Sequence, residues 1–157
     1  MIVVADTSPL NYLILIGEIE RLPSLYQKIL IPQAVHTELL RAQTPLMVRN
    51  WAASLPAWCE DRLVIGPPDP ALDELDLGER EAIQLAAEAG VDTVLMDEVA
   101  GRREAARRHL NVIGTLAVLE QAAQKGLLEF RDALMLLERT NFRLSAAVRD
   151  EFLRRNP

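Results

Sequence analysis

Four carboxylates in this chain are spaced to share one chemical task. Asp6 follows the apolar run Met1-Ile2-Val3-Val4-Ala5, and Asp97 follows Val94-Leu95-Met96. Runs of this length and β-branched content are buried strands. The carboxyl end of such a strand is where open α/β sheets form their ligand crevice. Glu38 lies among Ala34, Val35, Leu39 and Leu40, inside an otherwise apolar helix. The fourth acid requires a choice within Gly78-Glu79-Arg80-Glu81. Residues two apart point about 200° apart on a helix and cannot share a face. Ala82, Ile83, Leu85, Ala86 and Ala89 define the apolar stripe, and Glu79 falls within it. Glu81 falls with Gln84 and Glu88 on the polar side. The helical period therefore assigns Glu79 to the crevice and Glu81 to solvent.

Carboxylate oxygens are hard ligands that suit Mg²⁺ or Mn²⁺. Such an ion orients a phosphodiester, lowers the pKa of an attacking water and stabilises charge on the leaving oxygen. Without a cation the grouping is costly. At a separation of ~5 Å and an effective dielectric of ~20, each carboxylate pair repels by about 3 kcal/mol. Each acid also has a plainer reading: Asp6 and Asp97 as helix caps, and Glu79 as a charge favoured by the helix dipole. Four acids in register argue for the shared site.

The elements that position these acids follow from the apolar pattern. Five short runs are expected as strands: Ile2–Ala5, Ile29–Ile31, Leu63–Ile65, Thr93–Met96 and Asn111–Ile113. Between them lie helical stretches at Pro9–Ile16, Pro32–Arg41, Leu46–Leu55, Gly78–Ala89, Glu98–Leu110 and Thr115–Lys125. Thr7 or Ser8 is placed to cap the first of these, with Pro9 in its opening turn. Two more helices, near Arg131–Arg139 and Ser145–Arg154, close the chain. Strands alternating with helices imply an α/β fold, with a central five-stranded parallel sheet in three α/β/α layers plus C-terminal helices. Pro67-Pro68-Asp69-Pro70 reads as a stiff loop within a single domain spanning residues 1–157.

Composition narrows the function. At 157 residues the chain is long enough for one substantial core. A hydrophobic content of 50% with only 4% aromatics makes that core aliphatic. A net charge of −6 argues against a protein that coats nucleic acid. It leaves room for a nucleic-acid enzyme whose metal ions reverse the local sign. Cys59 is the only cysteine, so neither an intrachain disulfide nor a cysteine-rich zinc site is available. His36 and His109 are too few for a histidine-rich one. No apolar stretch reaches the ~20 residues that span a bilayer, and the N-terminus has no basic leader. The expectation is a cytoplasmic protein that does not enter membranes.

Together the motifs Val4-Ala5-Asp6-Thr7-Ser8, Val35-His36-Thr37-Glu38-Leu39-Leu40, Gly78-Glu79-Arg80-Glu81-Ala82-Ile83 and Leu95-Met96-Asp97-Glu98, followed by Gly101-Arg102, resemble a PIN domain. The resemblance runs from Met1 to about Gly126, and a PIN-like subgroup also carries a segment like Gly114-Thr115-Leu116-Ala117-Val118-Leu119. It implies a core over about residues 1–126 and a helical extension over about 127–157. It further implies a Mg²⁺- or Mn²⁺-dependent ribonuclease acting on RNA, with Asp6, Glu38, Glu79 and Asp97 as catalytic and metal-site acids and Ser8 as a supporting polar residue. Many such proteins are toxins, so the resemblance implies a small antitoxin partner, and a homodimer is a further expectation. Two features depart from well-studied members: the third acid is Glu79 where aspartate is usual, and the segment after Asp97, which begins with Glu98, lacks the second aspartate that many carry.

Other residues are weighed beside these. Arg102 and Arg103 lie at the site end of a basic helix and, with Ser8, are candidate substrate contacts. A Glu104–Arg108 pair on that helix fits a solvated face instead. His36 sits on a different helix face from Glu38 and reads as structural. Trp51 and Trp58 read as core or partner-binding residues before base-stacking ones. Two rival functions remain. One is a non-catalytic PIN-like module that binds RNA or a protein. The other is a phosphoacceptor domain, which would want paired acids after the first strand and a lysine after the last.

Overall fold

The computed structural model describes residues 1–157. The chain runs β1 (Ile2–Ala5), α1 (Thr7–Leu15), a 3₁₀ turn (Ile19–Arg21), α2 (Leu22–Leu25), β2 (Lys28–Pro32), α3 (Gln33–Leu39), α4 (Leu46–Ala53) and β3 (Cys59–Arg62). It continues through a second 3₁₀ turn (Pro70–Leu72), α5 (Leu77–Ala89), β4 (Thr93–Leu95), α6 (Val99–Arg107), β5 (Asn111–Ile113), α7 (Thr115–Gln124), α8 (Phe130–Glu138) and α9 (Ala146–Arg155). The five strands form one sheet in the order β3-β2-β1-β4-β5, and every pairing is parallel. The chain builds outward from β1 through β2 to β3, then returns to the other side of β1 with β4. That reversal makes the gap between β1 and β4 the topological switch point, where the ends of neighbouring crossovers splay apart.

Strand alternation divides the interior in two. Val3 and Ala5 of β1, Ile29 and Ile31 of β2 and Leu95 of β4 face a core built from α1, α3, α4, α7 and α8. Val4, Leu30, Val94 and Met96 face the opposite core, built from α5, Ala105 of α6 and Leu72. This is the three-layer arrangement expected from the sequence. The C-terminal extension is part of it: Phe130, Ala133, Leu134 and Leu137 of α8 are buried in the first core. Truncating such a fully buried leucine to alanine typically costs about 2–5 kcal/mol.

One expected strand is misplaced. The third strand is Cys59–Arg62, and the apolar run Leu63–Ile65 lies beyond it, with Leu63 65% and Ile65 90% exposed. The strand is a sheet edge, pairing with β2 alone, so it buries mainly Cys59 and carries charge elsewhere. Lys28 meets Glu60 at 2.6 Å, and charged edges resist pairing with further strands. After the strand, the Ile65 and Gly66 N–H groups donate to the Glu88 carboxylate at 2.8 and 3.0 Å. The short α2 helix has no signature in the sequence, since four residues with Pro23 among them show no period. Cys59 is free and buried, and burial, with Asp61 adding to it, pushes its thiol up to about 12. That leaves it unreactive. No helix is long and apolar enough to cross a membrane.

Candidate active site at the switch point

Asp6 and Asp97 both emerge at the switch point, but on different faces. Ala5 pairs with Leu95, so Asp97 lies one residue further along the sheet than Asp6. With a side-chain period of two, one residue reverses the face. Asp6 continues the parity of Val4 and turns toward α5, whereas Asp97 continues the parity of Leu95 and turns toward α1 and α7.

Asp6 is only 5% exposed and occupies the N-cap position of α1, yet its side chain makes no capping hydrogen bond. Instead it meets other acids. A Cβ added at Gly78 would lie 3.1 Å from Asp6 Oδ1 and 3.4 Å from Glu38 Oε2, so the bare glycine is what lets these two carboxylates approach α5. Burial pushes the Asp6 carboxyl up to about 8; the Thr7 backbone N–H opposes this, and Asp76, Glu79 and Glu38 add to it. Glu38 is half-buried and accepts a 2.9 Å hydrogen bond from the Thr7 hydroxyl, which aims it at the same edge. Glu79, on the buried stripe of α5, is 5% exposed. Burial and then the charge of Asp76 hold its carboxyl well above the ordinary glutamate range, with Glu98 adding to the effect.

Asp97 is in the opposite condition. Its Oδ1 accepts the Thr115 backbone N–H at 2.8 Å, and its Oδ2 accepts the hydroxyls of Thr115 at 2.7 Å and Ser8 at 2.8 Å. It therefore caps α7, a helix reached by a separate strand, and not the helix that follows it. Thr115 is fully buried, while Ser8 and Asp97 are half-buried, so the clamp is partly shielded from water. Charge-assisted bonds of this kind are short and roughly twice as strong as neutral ones.

Asp76 joins the acids without having been singled out in the sequence. Its Oδ1 accepts the Glu79 N–H at 2.8 Å, capping α5. The pattern Asp76-Leu77-Gly78-Glu79 is a capping box, and that was the available signal. Glu81 departs from its expected place in solvent: it is half-buried, and its Oε1 accepts the Ala34 N–H at 3.0 Å. The α3 terminus packs against α5 and needs an acceptor for its free amides.

The remaining candidates divide. Ser8 is committed to Asp97. Arg102 is half-buried and donates to the Met96 carbonyl at 3.0 Å, with its guanidinium folded over Gly114, where a Cβ would lie 2.6 Å from Nη1. It holds the β4–α6 turn together. Arg103 is exposed and lies with Arg102 in an open depression that also includes Val99, Leu110 and Val112. Arg108 pairs with Glu104 at 3.1 Å and with Asp69 at 2.9 Å. His36 is structural: its ring nitrogens sit 2.9 Å from Asp61 and 2.8 Å from the Ala52 carbonyl. Trp51 and Trp58, with ring centroids 6.0 Å apart, pack on the first core.

No three His, Cys, Asp or Glu side chains form a preassembled metal cage. The donor chemistry nevertheless fits a hard divalent cation. Burial, and after it neighbouring negative charge, favours the protonated forms of Asp6 and Glu79, and a cation relieves the same strain. The space kept open at Gly78 lies between two of the carboxylates. Asp6, Glu38 and Glu79 are the residues that would hold the ion, with Asp97 on the far side of the switch point.

Among curated proteins, none matches the chain. A family profile described as a PIN domain matches residues 2–156, through the C-terminal helices as well as the acidic core.

Proposed function

The chain belongs to the PIN-domain family, whose members are generally nucleases, and on that premise we propose that it is a metal-dependent endoribonuclease that hydrolyses RNA phosphodiester bonds. The observation that carries this reading is the crowding at Gly78, where Asp6 and Glu38 flank bare backbone and Asp6 is pushed up to about 8. Folding gains nothing from gathering such charges, and their use is to hold a cation. Mg²⁺ or Mn²⁺, when bound, lowers the pKa of water and offsets charge on the phosphodiester oxygens. Asp6 and Glu79 must release their protons to bind it, so binding is proton-coupled. Ser8 and Thr115 fix the Asp97 carboxylate in one orientation, which spares reorganisation during the reaction. From the family resemblance, we further propose that the chain acts in the cytoplasm as the toxin of a toxin–antitoxin pair, with a small antitoxin partner, and that it homodimerises.

The test is cleavage of single-stranded RNA by nuclease-free protein. Cleavage is expected with Mn²⁺ or Mg²⁺ and not with EDTA. Undiminished cleavage in EDTA would sink the metal mechanism, and no cleavage with either ion would sink the nuclease reading.

A further inference from the structure

We propose that the C-terminal helical extension supplies part of the RNA-binding surface, with Arg143 holding a backbone phosphate of a single strand that crosses the acids. The inference rests on the nuclease reading above.

A path along α1 and the α8–α9 connection leads from Asp97 to this residue. Asp97 accepts the Ser8 hydroxyl at 2.8 Å. Tyr12 stands four residues after Ser8 on α1, hence on the same helix face one turn along. The Tyr12 hydroxyl donates to Asn141 Oδ1 at 2.9 Å, and its ring meets Phe142 edge-to-face at 5.0 Å between centroids. Those two residues lie in the α8–α9 connection, and Arg143 follows them directly. Electrostatics agrees. Burial chiefly raises the Tyr12 hydroxyl, Asp97 and Glu98 raise it further, and Arg143 opposes them, so the two acids and the arginine all act on one hydroxyl.

The arginine is also free to act. Three cations of the extension are spent on carboxylates, Arg149 on Glu138, Arg154 on Glu151 and Arg155 on Glu120, whereas Arg131 and Arg139 lie on α8 and at its end, away from the Tyr12 ring. Arg107 and Arg108 are spent on Glu104 and Asp69. Arg143 is exposed and forms no ion pair. On another side of the acids, Arg41 is exposed and shares an open depression with Glu38, Gln43 and Thr44. A polyanion brought to an acidic site needs cations beside it, and on a chain of net charge −6 these are few. Isolated cations at the flanks fit one backbone. A duplex would need a broad basic face, which the paired arginines do not offer.

The experiment measures binding of a fluorescein-labelled single-stranded oligoribonucleotide by anisotropy over a salt series. Full-length protein carrying Glu79→Gln serves as the background, so that cleavage does not intrude. Arg143→Ala is expected to weaken binding across all sequences and to lower the salt slope by about one unit, the loss of one phosphate contact. Arg143→Lys should restore the slope. Arg131→Ala is the control, being exposed at the far end of α8 and equally unpaired, and should leave it unchanged. An unchanged slope in Arg143→Ala, an equal change in Arg131→Ala, or no measurable binding overturns the proposal. Cleavage by the wild type with an Arg143-independent slope removes this path and leaves the nuclease reading. An Arg143-dependent slope in a protein that never cleaves removes the nuclease reading and leaves the path.

Discussion

Asp6 and Asp97 end adjacent strands of one sheet, and each follows a similar apolar run. Asp6 is buried among Glu38, Asp76 and Glu79 and is pushed up to about 8. Asp97 accepts three hydrogen bonds from Ser8 and Thr115. The cause is one residue of register, which sends one carboxylate to the α5 face and the other to the α1 and α7 face. A motif that looks repeated in sequence thus yields one side that stores electrostatic strain and one that is a structural clamp. The strained side is where a cation has most to offset.

The largest effect expected is on catalysis, and it tests the strained side. Glu79→Gln should lower RNA cleavage by more than about 100-fold, beyond what loss of an outer-shell partner costs. Glu81→Gln keeps the oxygen that accepts the Ala34 N–H and should stay near wild type. Steady-state cleavage assays decide. Equal losses would show that the α5 face does not separate the two acids functionally.

The next effect contrasts the two aspartates in stability. Asp97→Asn replaces charge-assisted bonds at a half-buried helix cap and should destabilise the metal-free protein by about 2–3 kcal/mol. Asp6→Asn should do the reverse, stabilising it on the order of 1–3 kcal/mol, because it removes a carboxyl whose ionisation is opposed by burial first and by neighbouring acids second, at nearly constant shape. Denaturant melts in EDTA give both numbers. If both substitutions destabilise, the Asp6 environment is not strained, and the contrast collapses.

Proton linkage sharpens the same contrast. The Asp6 carboxyl titrates at about 8 in the folded protein against an ordinary value of 3.8. Between these limits the folded state holds a proton that the unfolded state releases, so raising the pH destabilises the folded state, by at most about 1.4 kcal/mol per unit for one group. Metal-free wild type should therefore lose stability from pH 5 to 8, and Asp6→Asn should flatten the profile. Mn²⁺ must displace these protons, so its stabilising effect should be greater at pH 8 than at pH 6. Thermal melts across pH, with and without Mn²⁺, measure both trends. A rise in metal-free stability over that range would reverse the assigned sign.

The smallest effect concerns the clamp. Thr115→Val removes one hydroxyl from Asp97 and leaves the backbone N–H in place. A cost of about 1 kcal/mol is expected, with the pH profile of the metal-free protein unchanged. A shift in that profile would mean that the two sides are coupled after all.

Much of this was legible in the chain itself, because it depends on neighbours in sequence. The 3.6-residue period placed Glu79 on the buried face, and short continuous apolar runs rich in β-branched residues placed Asp6 and Asp97 at strand ends. Alternation of the two element types gave the layered parallel sheet. The third strand failed because an edge strand buries so little that hydropathy pointed past it to Leu63–Ile65. What only the tertiary structure decided is who meets whom. Ser8 reaches Asp97 across 89 residues, Thr7 reaches Glu38 across 31, and Tyr12 reaches Asn141 across 129. Thr115 caps onto an aspartate belonging to another strand. These partners follow from the strand order β3-β2-β1-β4-β5 and its register. Strand pairing is fixed by packing over the whole chain, whereas periodicity is fixed within a few residues. The sequence therefore determined that these acids would gather at one edge, and the sheet register decided which carboxylate would be clamped by donors and which would be buried beside other acids.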